Sequence, residues 1–338
     1  MALDLLWIGI NHTMNIKHKK KICVVGAGGW GKNHIRTLSD LDCLAGIVDS
    51  NPSQIDKINI DKARVNFHEN IDNAFTYDYD GFIVATPSET HFDLGMKIID
   101  KGFPLLIEKP LCLSSKEARI LVDLADSRGV NLLVGHVLLF HPAIIKIKDM
   151  VDSGLIGSIQ YIYSNRLNLG TIRTNENVFW SFAPHDISVF NYFISSPISS
   201  VQSFGSDIIQ KGIHDSTITS INYQNGVSSH IFVSWLHPFK EHRIVVIGSD
   251  GMLSYEDSSE DKKILHYKKG IKFKDGTPMK NDGDTKSIDY DFSFPLTNEL
   301  VYFINNMDTG FSISSGKSAI PVIKVLEDAS IELGELIG

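Results

Sequence analysis

Apolar residues fall in short unbroken runs through the first 140 positions and in alternation after them. Residues 22–25 (Ile-Cys-Val-Val), 44–48, 81–85, 105–107 and 132–134 are too short for helices, and no polar residue interrupts them. Such runs predict strands buried on both faces. Between them the period lengthens. Ile35, Leu38 and Leu41 line one side of a helix over 32–41, and Phe92, Met96 and Ile99 share a face of another, which Ser88 caps and Gly102 stops. Ser114-x-x-Glu117 is a capping box that opens a helix to about residue 127, with Gly129 just past its end. Strands alternating with helices predict a parallel, doubly wound sheet, whose ligand lies across the carboxyl ends of the strands.

Beyond Pro142 the pattern changes. After a helix over 142–152, the stretch 158–169 alternates. Ile159, Tyr161, Tyr163, Asn165 and Leu167 point one way; Gln160, Ile162, Ser164, Arg166 and Asn168 point the other. Asn225-Gly226 and Asp250-Gly251 each join two strand-like runs and predict hairpins. Helices are expected over 184–194, over 298–307 and from Pro321 to the end. The polar stretch 257–291, rich in Lys, Asp and Gly, reads as loops with one short strand.

The run 22–25 opens onto Gly26-Ala27-Gly28-Gly29-Trp30-Gly31, a strand, Gly-x-Gly-x-x-Gly turn and helix. Gly26 permits the tight turn, Gly28 lets a pyrophosphate approach the backbone, and Gly31 lets helix and strand pack closely. Free N–H groups at the helix start attract the anion. The next strand ends in Asp49, where a dinucleotide site needs an acceptor for the ribose hydroxyls; the alternative is a carboxylate that merely caps a loop. Ser50-Asn51-Pro52 follows, with no arginine for a 2′-phosphate, so NAD is expected over NADP. The fold class is α/β: an N-terminal doubly wound Rossmann domain (20–140) and a C-terminal α+β domain with a large, mostly antiparallel sheet (141–338). Residues 1–19 form an extension. Its apolar run 5–10 precedes rather than follows the basic residues, and Met14 would be a natural beginning.

At 338 residues the chain suits two cores, and 43% hydrophobic with 21% charged residues is ordinary for a globular protein. The net charge of −8 argues against a nucleic-acid partner. The basic run 17–21 reads as a solvated lead-in, and no stretch is long enough to span a bilayer. Cys23, Cys43 and Cys112, odd in number and scattered, suggest a reduced, cytoplasmic setting. His136/His141 and His237/His242 are each five apart, off one helical face and without a paired cysteine, so no metal site is expected.

Asp49, Thr86, Lys109 and His136 all stand at strand ends. Lys109, beside a bound nicotinamide, would lose water and feel the ring's positive charge; by position alone a surface lysine after a strand is the favoured reading. His185 follows Pro184 at the expected start of a helix, where the dipole disfavours imidazolium and leaves a base able to take an alcohol proton. The alternative is a helix-start residue bonded to backbone, with Asp186 favouring the dipole. Arg166 and Asn168 share a face that either binds an anionic, hydroxyl-rich substrate or is simply solvated.

Four motifs in order, Gly-Ala-Gly-Gly-Trp-Gly-Lys-Asn-His (26–34), Ala-Thr-Pro-Ser-Glu-Thr-His (85–91), Glu-Lys-Pro (108–110) and Ala-Pro-His-Asp (183–186), resemble the glucose–fructose oxidoreductase/inositol dehydrogenase/rhizopine catabolism family. Gly-Trp-Gly-Lys-Asn and Ser-Asn-Arg-Leu-Asn-Leu-Gly (164–170) resemble its branch acting at C3 of UDP-linked N-acetylated sugars. The resemblance implies an NAD-dependent sugar dehydrogenase, cytoplasmic and homo-oligomeric (dimer or tetramer) through its open sheet. It implies cofactor contacts from Gly26, Gly28, Gly29, Trp30, Gly31, Asp49, Ser50, Thr86, Pro87, His91, Glu108, Lys109 and His136. Substrate contacts would come from Lys109, Arg166, Asn168, Ser181 and His185, with Lys109 polarising the reacting hydroxyl and His185 as acid/base. Many members carry an aspartate four residues before the histidine, where this chain has Ser181. Two other readings stay open: a dehydrogenase of free sugars or inositols, and a catalytically silent NAD-binding regulator.

Overall fold

The computed structural model describes residues 16–335. The apolar run at 5–10 and Met14 lie outside the described residues. The first part of the chain alternates as its sequence predicts: β1 (Ile22–Val25), α1 (Gly29–Asp40), β2 (Leu44–Val48), α2 (Pro52–Asp56), β3 (Asn66–His68), α3 (Ile71–Ala74), β4 (Gly81–Val84), α4 (His91–Asp100), β5 (Leu105–Glu108), α5 (Ser115–Arg128) and β6 (Leu132–Gly135). All six strands are parallel, in the order 3-2-1-4-5-6, so the chain reverses direction across the sheet between β1 and β4. That crevice is where this topology binds ligands. The N-cap half of the box forms: the Ser114 hydroxyl accepts the Glu117 N–H, and Gly129 closes α5 at φ +65°.

Ser88 does not cap a helix. It opens a 3-10 turn (Ser88–Thr90), and α4 begins only at His91. The face of α4 that turns fully inward is His91, Gly95, Ile98 and Ile99; Phe92 and Met96 are half-buried at its flank.

The second part comprises α6 (Pro142–Asp152), β7 (Ile159–Leu169), α7 (Val178–Phe193), β8 (Ile198–Ser206), β9 (Ser216–Tyr223), β10 (Ser228–Ser234), β11 (Leu236–Gly248), β12 (Met252–Glu256), β13 (Ile264–Lys274), β14 (Thr277–Ile288), α8 (Pro295–Asn306) and α9 (Gly316–Glu332). Strands β7–β14 form one sheet, antiparallel except where β10 runs parallel to β7. Both expected hairpins form, β9–β10 with Gly226 at φ +87°. One face of the sheet packs on α7, with Ile162, Ile221, Ile231, Val233 and Trp235 fully buried. Helices α8 and α9 return to the first sheet, where Phe303 and Met307 approach Gly81 and α9 lies along α5.

Three expectations fail here. Residues 257–291 are not loops but mostly the long β13–β14 hairpin, extending the sheet edge. Its residues are largely exposed on both sides, so the sequence lacks the half-buried alternation that marks a strand. The other two concern helix starts. Pro184 and Pro321 lie inside α7 and α9, which begin at Val178 and Gly316. A proline interrupts a helix's hydrogen bonding at a cost of about 3 kcal/mol, so it normally marks a boundary. Here a buried face holds each helix through it, from Val178 to Phe193 in α7 and from Ala319 to Ala329 in α9.

Candidate active site

Asp49 closes the loop that starts α1. Its Oδ2 accepts the Ala27 N–H at 2.7 Å and its Oδ1 accepts the Asn51 N–H at 2.8 Å. It is thus both loop cap and free acceptor, since a carboxylate keeps lone pairs beyond two bonds. Gly26 (φ +98°) lies under Ala85 and Thr86, and a Cβ on Gly31 would come within 2.0 Å of the Gly26 carbonyl. By contrast, a Cβ on Gly28 or Gly29 would meet nothing within 4 Å. No side chain caps the N-terminus of α1. Backbone donors facing open space beside a ribose acceptor fit a dinucleotide diphosphate. Trp30, Ser50 and Pro87 are exposed at this rim, and the Thr86 hydroxyl shares a 2.7 Å bond with that of Thr90.

His91 is placed differently from expectation. It is buried, with Nδ1 on the Pro110 carbonyl (2.8 Å) and Nε2 on that of Thr86 (3.0 Å). Both ring nitrogens brace the two loops, leaving no polar atom for a ligand. Glu108 also turns inward, its Oε1 2.6 Å from Nε2 of the fully buried His34.

The β5–β6 register pairs Glu108 with Gly135, so Lys109 and His136 leave the sheet side by side. Lys109 Nζ donates to the Ser181 carbonyl at 3.0 Å, one turn before His185 on α7. Burial pushes the Lys109 pKa down; Glu176 and Glu108 oppose this, while Arg173 and Arg166 add to it. His185 is held well below the usual histidine range, first by burial and then by the positive charges of Lys109 and Arg166, with His136 and His242 contributing. Since His185 lies in the middle of α7 rather than at its start, and burial is the first cause, the helix-start dipole does not account for the shift. Its buried Nδ1 has no hydrogen-bond partner among the described residues. Burial also pushes His136 down to about 3.

Arg166 does not lie on a solvated face. Its Nε and a terminal nitrogen clasp Asp186 at 2.7 and 3.1 Å, in the interior. Asp186 therefore pairs with the sheet rather than with the helix dipole. Asn168 has its buried Oδ1 against Gly170. The sequence reading missed His34, Glu176, His242 and Glu299. Glu299 had a signal: a charge flanked by Leu296, Leu300 and Val301 on an apolar helix.

Two family models match this chain in succession: "Oxidoreductase family, NAD-binding Rossmann fold" over residues 20–136, and "GFO/IDH/MocA C-terminal domain" over 144–254. The chain belongs to the GFO/IDH/MocA oxidoreductase family. Its first sheet thus belongs to an NAD-binding Rossmann domain, and the glycine turn and Asp49 lie within the matched residues. Among family relatives, the NAD⁺-dependent scyllo-inositol 2-dehydrogenase of Bacillus subtilis is 25% identical over 70% of this chain and 74% of its own length. UDP-N-acetylglucosamine 3-dehydrogenase of Acidithiobacillus ferrooxidans is 29% identical, over 43% of this chain and less than half (44%) of its own length. A solved structure of UDP-N-acetylglucosamine 3-dehydrogenase from the same organism superposes with a TM-score of 0.82 at 20% identity, covering 94% of this chain and 98% of that one. It shares the whole fold.

Proposed function

We propose that this family member is an NAD-dependent dehydrogenase oxidising a secondary ring hydroxyl, that at C3 of a UDP-linked N-acetylated sugar, to a ketone. The observation that carries the chemistry is the pairing of Lys109 with the α7 turn bearing a neutral His185. His185 accepts the proton of the substrate hydroxyl. The Lys109 ammonium faces the oxygen as negative charge develops on it, where a preorganised cation lowers the barrier most. Bound NAD⁺ supplies the acceptor for the hydride that leaves the carbinol carbon. Thr86 and Asp49 orient the dinucleotide, and His91 acts only through the loops it joins.

The narrower substrate rests on the likeness of residues 164–170 to the UDP-sugar branch. Because Asp186 already clasps Arg166, and Ser181 carries no charge, an uncharged N-acetylhexosamine suits the site better than its uronic acid. A second reading, a free inositol as substrate, is favoured by the longer match to the scyllo-inositol enzyme. The test is absorbance at about 340 nm with NAD⁺ and, in turn, UDP-N-acetylglucosamine, its uronic acid, myo-inositol and scyllo-inositol. Reduction with UDP-N-acetylglucosamine is expected. Reduction with inositols alone would establish the second reading, and tight NAD binding without any turnover would make the protein a silent cofactor-binding regulator.

The same reading makes the protein a cytoplasmic homo-oligomer. Phe204, Ile218 and Phe232 lie side by side on the sheet face away from α7, with Phe204 74% and Ile218 50% exposed.

A further inference from the structure

Glu108 sits between two parts of the machinery that touch different ligands. Its Oε1 lies 2.6 Å from Nε2 of His34, on α1, the helix that follows the glycine turn and has no side-chain cap. Its Oε2 accepts the backbone N–H of Lys109 at 3.2 Å. The two oxygens thus reach a helix side chain and the main chain of the next residue at once. The fit is close: a Cβ on Gly135 would reach 2.9 Å from Oε2. From α8 comes Glu299, fully buried, neither of whose oxygens has a partner among the described residues. Two carboxylates in one dry site do not both ionise. Burial and the Glu108 charge keep Glu299 protonated.

We propose that His34 and Glu108 are positioning residues: the pair ties the helix that follows the glycine turn to the main chain of the substrate-facing lysine. This rests on the role given to Lys109 above. Burial bears most on the Lys109 ammonium and disfavours it; Glu176 and then Glu108 favour it, and Arg173 and Arg166 oppose it. His185 and His136 stand beside it uncharged. Without Glu108, one carboxylate is left against two guanidiniums. Glu299, already neutral, adds nothing to this balance.

The experiment is an NMR titration of lysine labelled at Cε, in protein without cofactor, with Lys109→Met assigning the signal. NADH affinity is measured in parallel by fluorescence. Glu108→Gln is expected to lower the Lys109 midpoint, whereas Glu299→Gln leaves it in place. His34→Gln is expected to weaken NADH binding about tenfold, the size of one lost buried charge-assisted bond, with the lysine still held up by Glu108. Glu108→Asp, which keeps the charge but shortens the reach, should weaken NADH binding with the midpoint near that of the natural protein; it serves where Glu108→Gln does not fold. An unmoved midpoint in Glu108→Gln, equal shifts in Glu108→Gln and Glu299→Gln, or unchanged NADH affinity in both His34→Gln and Glu108→Asp overturns the proposal. Failure of the dehydrogenase reading looks different: Lys109→Met would leave turnover intact whatever these titrations give.

Discussion

Gly28 and Gly31 are three residues apart, and their side-chain hydrogens face different surroundings. A methyl on Gly31 would collide with the Gly26 carbonyl, whereas one on Gly28 would enter open space. Gly28→Val should therefore leave the melting temperature close to that of the natural protein while NAD affinity, read by calorimetry, falls at least about tenfold. Gly31→Val should unfold the loop and lower both. His185 gives a second test. Its lowered pKa means the base form persists below pH 6.5, so the acid limb of kcat/KM should lie under that value. Lys109 is one of the charges that depress it, so in Lys109→Met the His185 titration, followed by NMR, should move up toward 6.5. At Glu299 the sign runs the other way for stability. Below pH 4.5 both folded and unfolded chains carry the proton; above it the unfolded chain ionises while the folded one holds on, so folding weakens as pH rises. Glu299→Gln should therefore raise the melting temperature at pH 8 more than at pH 5.

Helix α7 shows how an element places two functional groups together. Its true start is Asn177, whose side chain accepts the Trp180 N–H at 2.9 Å and also reaches Glu335. Pro184 drew the eye as a helix start because proline is favoured there; the cap seven residues earlier was as plain a signal, but only packing told which prevailed. Ser181, near that start, presents the carbonyl that Lys109 grips. Asn177→Ala should cost about 1 kcal/mol of stability by denaturant titration. It should reduce turnover by more than substrate affinity, because the turn that aligns Lys109 and His185 frays. The Ser114 cap and the Asn225-Gly226 hairpin, whose determinants lie within a few residues, formed where the sequence set them. The β13–β14 hairpin did not announce itself. Its strands run along an exposed edge, and no buried face imposed alternation on them.

On the scale of the molecule, α8 and α9 leave the second sheet and pack back on the first, bringing Glu299 within reach of the Glu108 charge. At the opposite surface, the apolar row Phe204–Ile218–Phe232 crosses three strands. If that row joins copies of the chain, Phe204→Lys with Ile218→Lys should convert an oligomer to a monomer in sedimentation experiments, with the circular dichroism spectrum retained. The described residues contain no helix long and apolar enough to cross a membrane, and the three cysteines are buried and unpaired.

What the chain's residues determined alone was whatever depends on near neighbours: the alternation of strand and helix, the caps, the glycine cradle, and the acidic end of β2. Backbone sterics and hydrogen bonding over a few residues suffice for these. Which charges meet is a matter of distant segments packed together in a medium too dry to leave them alone. Arg166 found Asp186, His34 found Glu108, and His185 lost its proton to burial rather than to a helix end, because only the folded molecule sets that distance and that dielectric.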